Sequence, residues 1–368
     1  MKVICQRDEL ENALNIVNKA INSSNTLPVL NNILIKAEGK KLFFAATNLE
    51  IAIQYHMDAD VRNEGAITVP AKLITPYVSL LREDMVEMSL GGGVTLELSS
   101  KTSKTKIKGI SADEFPLIPK VEKENVLTIS TKDLEKSINQ TVFAASVNTT
   151  RPVLSGVLFK VDKDTIKLVA TDSYRLAEKT LKLKSPVKFS VDSLIPARTV
   201  SELGKLLAKC AGKEVEINFS KNQVLIKMDG IELTSRLIEG KFPDYEKIIP
   251  KESKTKTEIS VEELALVVKR VSLFARENNN NIKLTVTNDG VLQVATDETR
   301  VGEEKAEISV KVDGDNNKIA LNSQYLLDVL MFVSEEKINL GISDKLSPAT
   351  IAPLKGGDYV YIIMPLKI

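Results

Sequence analysis

Apolar residues recur at helical spacing in three stretches of the chain: DELENALNIVNKAI (8–21), TKDLEKSINQTVFAAS (131–146) and SVEELALVVKRVSLFAR (260–276). In the second, Leu134, Ile138 and Val142 fall on one stripe, as an amphipathic helix requires. Asp8, Thr131 and Ser260 stand where N-caps are expected. A second helix is predicted within ITVPAKLITPYVSLL (67–81), SLIPARTVSELGKLL (193–207) and KIALNSQYLLDVLMFV (318–333). Elsewhere the period drops to two. Segments such as TIKLVAT, EVEIN, QVLIKMDG and KLTVTND alternate apolar and polar positions and predict antiparallel strands with tight turns. The fold class is α+β, with two helices packed on antiparallel sheets in each unit and roughly eight strands per unit.

The units repeat with a fixed period. Thr47 to Thr171 is 124 residues and Thr171 to Thr296 is 125. PVLNNILIKA (28–37) matches PVLSGVLFKV (152–161), and NNIKLTV (280–286) falls in register as a weaker third copy. The VPAK, IPAR and LNSQ helices keep the same spacing, and ADEFPLIPKV (112–121) matches EGKFPDYEKIIP (239–250). Landmarks that keep both order and spacing mark an internal triplication. VEKEN (121–125) and KESKTKT (251–257) are charged, apolar-poor stretches that suit linkers. The expected domains are 1–122, 128–250 and 257–368, each long enough for its own core.

Composition narrows the chemistry. With 368 residues, 43% hydrophobic and 27% charged, the chain reads as a soluble globular protein. It has no apolar run long enough to span a membrane, and the start, MKVICQRDEL, lacks the apolar core of a signal peptide. Cys5 and Cys210 stand far apart, as free thiols of a reducing compartment would. His56 is the sole histidine, in an alternating strand, so nucleophilic triads and clustered metal ligands have no raw material. GGG at 91–93 lacks a following GK[ST] and reads as a hairpin turn. Acidic residues are plentiful, so a three-repeat hydrolase or transferase using paired carboxylates is the competing class.

The turn written ATNLE (46–50), ATDSYRLA (170–177) and ATDETR (295–300) tests that class. Asn48 cannot act as a general acid or base, so equivalent chemistry at Asp172 and Asp297 has little support. A short side chain bonding back to its own backbone accounts for the shared part. The residues after the turn diverge, and only the middle copy continues Tyr174-Arg175-Leu176.

Net charge is only +1, but it is unevenly spread. Lys72, Lys132, Lys136, Arg198, Lys205 and Lys209 fall on the predicted helices, which suits contact with phosphates without base reading. KTSKTKIKG (101–109) is basic, whereas Asp297 to Glu307 is acidic. Lys104 and Lys106 opposite Glu303 and Glu304, with Ile107, Leu273 and Phe274 as apolar contacts, suit head-to-tail self-association, a contact that closes into a ring when the rotation allows.

The chain resembles the bacterial sliding clamp family, the DNA polymerase III beta subunit, over its full length. The resemblance rests on TLPVLNNILI (26–35), VPAKLI (69–74), VATDSYRLAE (169–178), EGKFPDYEKIIP (239–250), SQYLLDVL (323–330) and YIIMPLKI (361–368). It implies three domains of one DNA-clamp fold, a homodimeric ring around double-stranded DNA, and helices lining the hole. It also implies a processivity factor with no catalytic residue, cofactor or metal, acting in the cytoplasm at the nucleoid. Partners would be the replicative polymerase, clamp loader and repair proteins, docking through short peptides with Gln, Leu and Phe anchors. By motif position the peptide pocket comprises Leu154, Thr171, Ser173, Tyr174, Arg175, Leu176, Pro243, Lys247, Ile248, Ile362, Met364, Pro365 and Leu366, rimmed by Arg175, Lys247 and Lys367. Ser24, Lys72, Asn148, Arg198 and Lys205 would face DNA. Many relatives have His at the place of Tyr174 and a different tail from Leu366-Lys367-Ile368.

Overall fold

A computed structural model describes residues 1–22, 27–148 and 150–367. Among them are six α-helices: α1 (Arg7–Val17), α2 (Ala71–Ser79), α3 (Thr131–Thr141), α4 (Ala197–Leu207), α5 (Val261–Ala275) and α6 (Ser323–Phe332). Two fall in each sequence repeat. None of them is long and apolar enough to cross a membrane.

The helices start where their sequences permit. Ser260 caps α5, its hydroxyl accepting from the Glu263 N–H, and Glu262 and Glu263 occupy the positive end of the helix. The Asn run then ends the helix region: Asn279 and Asn280 take left-handed backbone, φ 51° and 59°, which Asn tolerates. The other two expected caps shift. α1 begins at Arg7, so Gln6 is its cap residue and Asp8 sits inside the first turn. Thr131 is already helical, and its buried hydroxyl donates to the Gly212 carbonyl instead.

The chain packs as two compact units, Met1–Lys132 with Glu202–Leu237, and Asp133–Ser201 with Ile238–Ile368. All sheet pairing is antiparallel. In the first unit an eight-stranded sheet runs in the order Asn125–Ser130, Glu214–Phe219, Gln223–Met228, Ile231–Arg236, Ile51–Asp58, Lys41–Thr47, Asn32–Glu38, Gly65–Pro70. A five-stranded sheet of the same unit runs Asp60–Asn63, Lys2–Gln6, Met85–Leu90, Thr95–Ser99, Lys104–Lys108. α1 buries Leu10, Ala13, Leu14 and Val17 and packs against α2 and the strands Lys41–Thr47 and Ile51–Asp58.

The second unit repeats the plan. Its nine-stranded sheet runs Ser190–Pro196, Gly156–Asp162, Thr165–Thr171, Arg175–Lys182, Tyr359–Ile363, Ala349–Pro353, Lys337–Ile342, Thr255–Ser260, Lys311–Gly314. A four-stranded sheet runs Lys305–Ser309, Val291–Ala295, Asn281–Thr287, Asn317–Asn322, with α5 against three of these strands and α6. Strict alternation decides the burial: in Asn281–Thr287, Ile282, Leu284 and Val286 point inward and the rest remain partly exposed.

The middle repeat is therefore divided between two sheets. Ile231–Arg236 pairs with Ile51–Asp58 of the first repeat, Leu233 opposite Ile53. Arg175–Lys182 pairs with Tyr359–Ile363 of the third, Leu176 opposite Ile362. The stretches expected as linkers are shorter than their composition suggests, because Asn125 and Thr255 already pair in strands. Gly91 to Gly93 do form a hairpin connection, with Gly93 at φ 71°. His56 is exposed on its strand, its ring centroid 6.0 Å from that of Phe43.

Cys5 is enclosed in the five-stranded sheet, its thiol directed at the Val86 carbonyl. Burial, and after it the charge of Glu9, pushes this thiol up to about 12. A folded value above the unfolded one means that the contribution is intact below the ordinary thiol range and is lost as pH rises towards about 12. Alkylation of the native chain at pH 8.5 should therefore label Cys210 first and Cys5 only on unfolding. Labelling of both at equal rates, read by mass spectrometry, would contradict this placement.

Candidate functional site

The Thr-Asx turn is a four-bond device. Thr171 Oγ1 donates to the Arg175 carbonyl at 2.6 Å and accepts from the Ser173 N–H at 3.1 Å. Asp172 Oδ1 accepts from the Tyr174 and Arg175 N–H groups at 2.9 and 3.0 Å. The first repeat copies it: Thr47 bonds the Ile51 carbonyl and the Leu49 N–H, and Asn48 the Glu50 and Ile51 N–H groups. Leu49 and Ser173, at φ 75° and 80°, take the same left-handed position. The third copy departs from the expected turn. The connection from Val291–Ala295 to Lys305–Ser309 is a long loop, in which Thr296 bonds Glu304 and Asp297 pairs with Lys283.

Arg175 gives the middle copy its character. Its Nε donates to Asp172 at 3.0 Å, Nη2 to the Phe143 carbonyl at 2.9 Å, and Nη1 pairs with Asp328 of α6. The guanidinium also lies 4.4 Å over the Tyr325 ring and 5.7 Å over Phe143. Only 11% of the side chain is exposed. Burial opposes its charge, but Tyr361, Asp328 and Asp172 outweigh that and hold it protonated. Arg175 was expected as a rim cation, and the structure turns it inward as a clamp.

Around this turn lies a cleft of about 440 Å³ whose lining includes Asn148, Arg151, Leu154, Ser173, Tyr174 and Tyr325. Tyr174 stands 62% exposed at its edge. Beyond the turn the chain's last segment is tied in: the Met364 N–H donates to the Tyr174 carbonyl and that of Leu366 to Ala320, both at 2.8 Å. Leu176 and Ile362 join an apolar cluster with Leu158, Val169, Leu194, Phe242 and Tyr245. Tyr245 also donates to Glu178 at 2.6 Å. Of the expected pocket residues, Leu154, Ser173, Tyr174 and Arg175 line the cleft, while Thr171, Leu176 and Ile362 are buried beneath the surface. Pro243, Lys247 and Ile248 are exposed on the segment that carries Phe242 and Tyr245, with Lys247 paired to Asp244. Met364, Pro365 and Leu366 are half-buried. Sequence reasoning missed Tyr325, Phe242 and Tyr245. All three lie inside motifs that were recognised, so the signal was present without an assigned role.

Among the expected DNA-facing residues, Lys72, Asn148, Arg198 and Lys205 are exposed, and Lys205 pairs with Glu202 at 2.8 Å. Ser24 lies outside the described residues. Asn148 belongs to the cleft lining as well. A residue missed by sequence is Lys19, in a hollow of about 310 Å³ shared with Asn12, Asn15, Asn18 and Lys209. Burial lowers its ammonium from the ordinary value; Glu202 opposes this, and Lys205 and Lys209 add to it. Several cations are thus gathered within reach of one another.

The expected self-association residues divide. Lys104 and Lys106 are exposed and both meet Glu97 on the neighbouring strand. Leu273 is 53% exposed, and Phe274 is half-buried near Gly302. Glu303 is exposed, whereas Glu304 is tied to Arg270 at 2.8 Å. Ile107 does not reach the surface. It is 2% exposed because the alternation of Lys104–Lys108 turns it into its own core.

Family models describing the N-terminal, central and C-terminal domains of the DNA polymerase III beta subunit match residues 1–119, 128–244 and 246–367. Fold and repeats thus define a chain of the polymerase III beta subunit class. The beta sliding clamp of Synechocystis sp. is 30% identical over 393 aligned positions that cover 100% of each chain. That of Staphylococcus aureus is 30% identical over 377 positions, covering 100% of this chain and 99% of its own. The solved DNA polymerase sliding clamp from Bacillus subtilis matches with a TM-score of 0.95 at 29% identity, over 100% of this chain and 99% of that one. The Thermotoga maritima beta subunit gives 0.94 at 27%, with the same coverage. The chain belongs to the beta sliding clamp family, processivity factors of DNA polymerase III rather than catalysts.

The turn makes a separable prediction. Asp172→Asn keeps the acceptor for two backbone N–H groups but removes the charge facing Arg175, and should cost about 1–2 kcal/mol. Asp172→Ala removes both functions and should cost about 2–4 kcal/mol. Denaturation of the full chain distinguishes them; equal losses would mean that the backbone bonds contribute nothing measurable.

Proposed function

We propose that two copies join head to tail into a closed ring that encircles duplex DNA and tethers the replicative polymerase and repair proteins. One observation carries the reading. In both long sheets, the strand that ends one set is paired with the strand that ends another: Ile231–Arg236 with Ile51–Asp58, and Tyr359–Ile363 with Arg175–Lys182. The equivalent strands, Lys104–Lys108 and Lys305–Ser309, are the outermost members of the five- and four-stranded sheets. Joined between copies, they would form a third sheet as long as the nine-stranded one. Such edges are unstable when left bare, so pairing satisfies both. Lys104 and Lys106 would meet Glu307 on the Lys305–Ser309 strand and Glu303 in the loop before it, with Leu273 and Phe274 alongside.

On this reading the working domains are 1–122, 128–250 and 257–368, six to a ring. A chain threaded through a ring needs no tight grip, so Lys72, Arg198, Lys205 and the Lys19 cluster serve as weak, sequence-independent phosphate contacts. Net charge near zero is compatible with that. Clients bring short apolar peptides to the cleft beside Tyr174 and the buried cluster beneath Leu176 and Ile362, where a few anchors supply most of the affinity. The tethered polymerase then rebinds its primer end at high effective concentration. The compartment is the bacterial cytoplasm.

Two measurements test this. Loaded on nicked circular DNA, the protein should be retained, then released when that DNA is linearised; salt-sensitive binding indifferent to linearisation would refute the ring. Leu273→Asp with Phe274→Asp should sediment as a monomer, and an unchanged dimer would reject the proposed edge pairing.

A further inference from the structure

His56, which the fold leaves exposed, belongs to a row that crosses three strands of the eight-stranded sheet. Lys36 stands opposite Phe43 in the ladder, and Phe43 opposite His56. Leu42, Phe44 and Met57 turn into the core, so alternation sets the row on the other face. The Phe43 and His56 ring centroids lie 6.0 Å apart with the planes at 33°, and both rings line a cleft of about 750 Å³. Gly230, at φ 77°, brings no side chain to the His56 end of it. The fold does not ask for this row. By the repeat period, Phe43 corresponds to Lys167 and His56 to Thr180, which face each other in the ladder of the middle repeat. There Lys167 meets Glu178 in place of an aromatic neighbour.

The charges of the lining are unequally committed. Glu38 is held by Lys36 at 2.7 Å, and Glu232 by Lys227 at 2.5 Å. Lys41 and Lys120 make no ion pair among the described residues, and Asp58, across the ladder from Lys41, is outside the lining. Lys41 shares the face of Phe43, two residues and about 7 Å along the strand. Ile118 packs on the cluster of Ala45 and Phe115, which fixes the segment that brings Lys120 to the cleft.

We propose that this cleft binds a free nucleotide, its base stacked on Phe43 and His56 and its phosphate held by Lys41 and Lys120. Every base offers a π-face to such a pair of rings. A sugar separates base from phosphate much as the strand separates Phe43 from Lys41. Two uncommitted cations suit the short charge of a nucleoside diphosphate, whereas a long single strand needs a continuous basic track. The site is independent of ring closure and of the cleft beside Tyr174.

Equilibrium dialysis of the full-length protein against radiolabelled ADP, adenosine and an adenine oligonucleotide tests this. Native protein should bind ADP roughly threefold more tightly than adenosine. Phe43→Ala should weaken both about fivefold, and Phe43→Tyr, which keeps the ring, should bind both as the native protein does. That rescue separates lost stacking from lost folding. Lys41→Gln with Lys120→Gln should bring ADP to the level of adenosine and leave adenosine unchanged. Absent ADP binding, ADP affinity indifferent to Phe43→Ala, or equal native affinities for ADP and adenosine would each overturn the proposal. An oligonucleotide that binds through Phe43 when ADP does not would give the surface to single strands and overturn it as well.

Discussion

A β-strand carries a row of backbone donors and acceptors along each edge, and every row must meet a partner or water. In this chain that requirement decides which repeats join. The middle repeat offers two edges, one on Ile231–Arg236 and one on Arg175–Lys182, and each is taken by a different neighbour in sequence. Long continuous sheets result, with α1 against the eight-stranded one and α5 against the four-stranded one. The hydrophobic cores stabilise the units, but the ladders specify their connectivity. The outermost strands Lys104–Lys108 and Lys305–Ser309 are consequences of the same rule at the two ends of a triplicated chain.

Within that frame the repeats have been specialised by few residues. The turns at Thr47 and Thr171 share four hydrogen bonds and one left-handed residue. They differ in what the fifth residue does. Ile51 is 2% exposed and ends in the core, whereas Arg175 ends against Asp328 of α6. One substitution thus converts a shared turn into an electrostatic tie between parts of the second unit. The tie also explains the acid at Asp172, because the carboxylate's second oxygen has a cation to meet.

Much of the fold was legible in the sequence because triplication writes each signal three times. Alternation in NIKLTVT and the stripe of Leu134 and Ile138 map directly onto burial. Caps were less legible: Asp8 and Ser260 look alike in sequence, but only Ser260 precedes its helix. The linker expected at 251–257 is partly strand, since Thr255 and Thr257 are buried polar residues that composition could not separate from a loop. At the candidate site the residues were legible and their orientations were not. Periodicity could have warned that Ile107 faces inward, but nothing local reveals that Arg175 has Asp328 waiting 153 positions away. Long-range ion pairs leave no periodic trace.

The pairing of Asn48 with Ile51, against Asp172 with Arg175, also constrains the order in which an ancestral turn could diverge. Replacing Asn by Asp first is mild, because the new carboxylate still accepts the same two N–H bonds. Replacing Ile by Arg first would bury a guanidinium with one of its counter-ions missing, which is the costlier order. The same asymmetry applies going backwards. Losing Arg175 first frees Asp172 to drift, whereas losing the acid first leaves the guanidinium with Asp328 alone, so the neighbour favours keeping the acid.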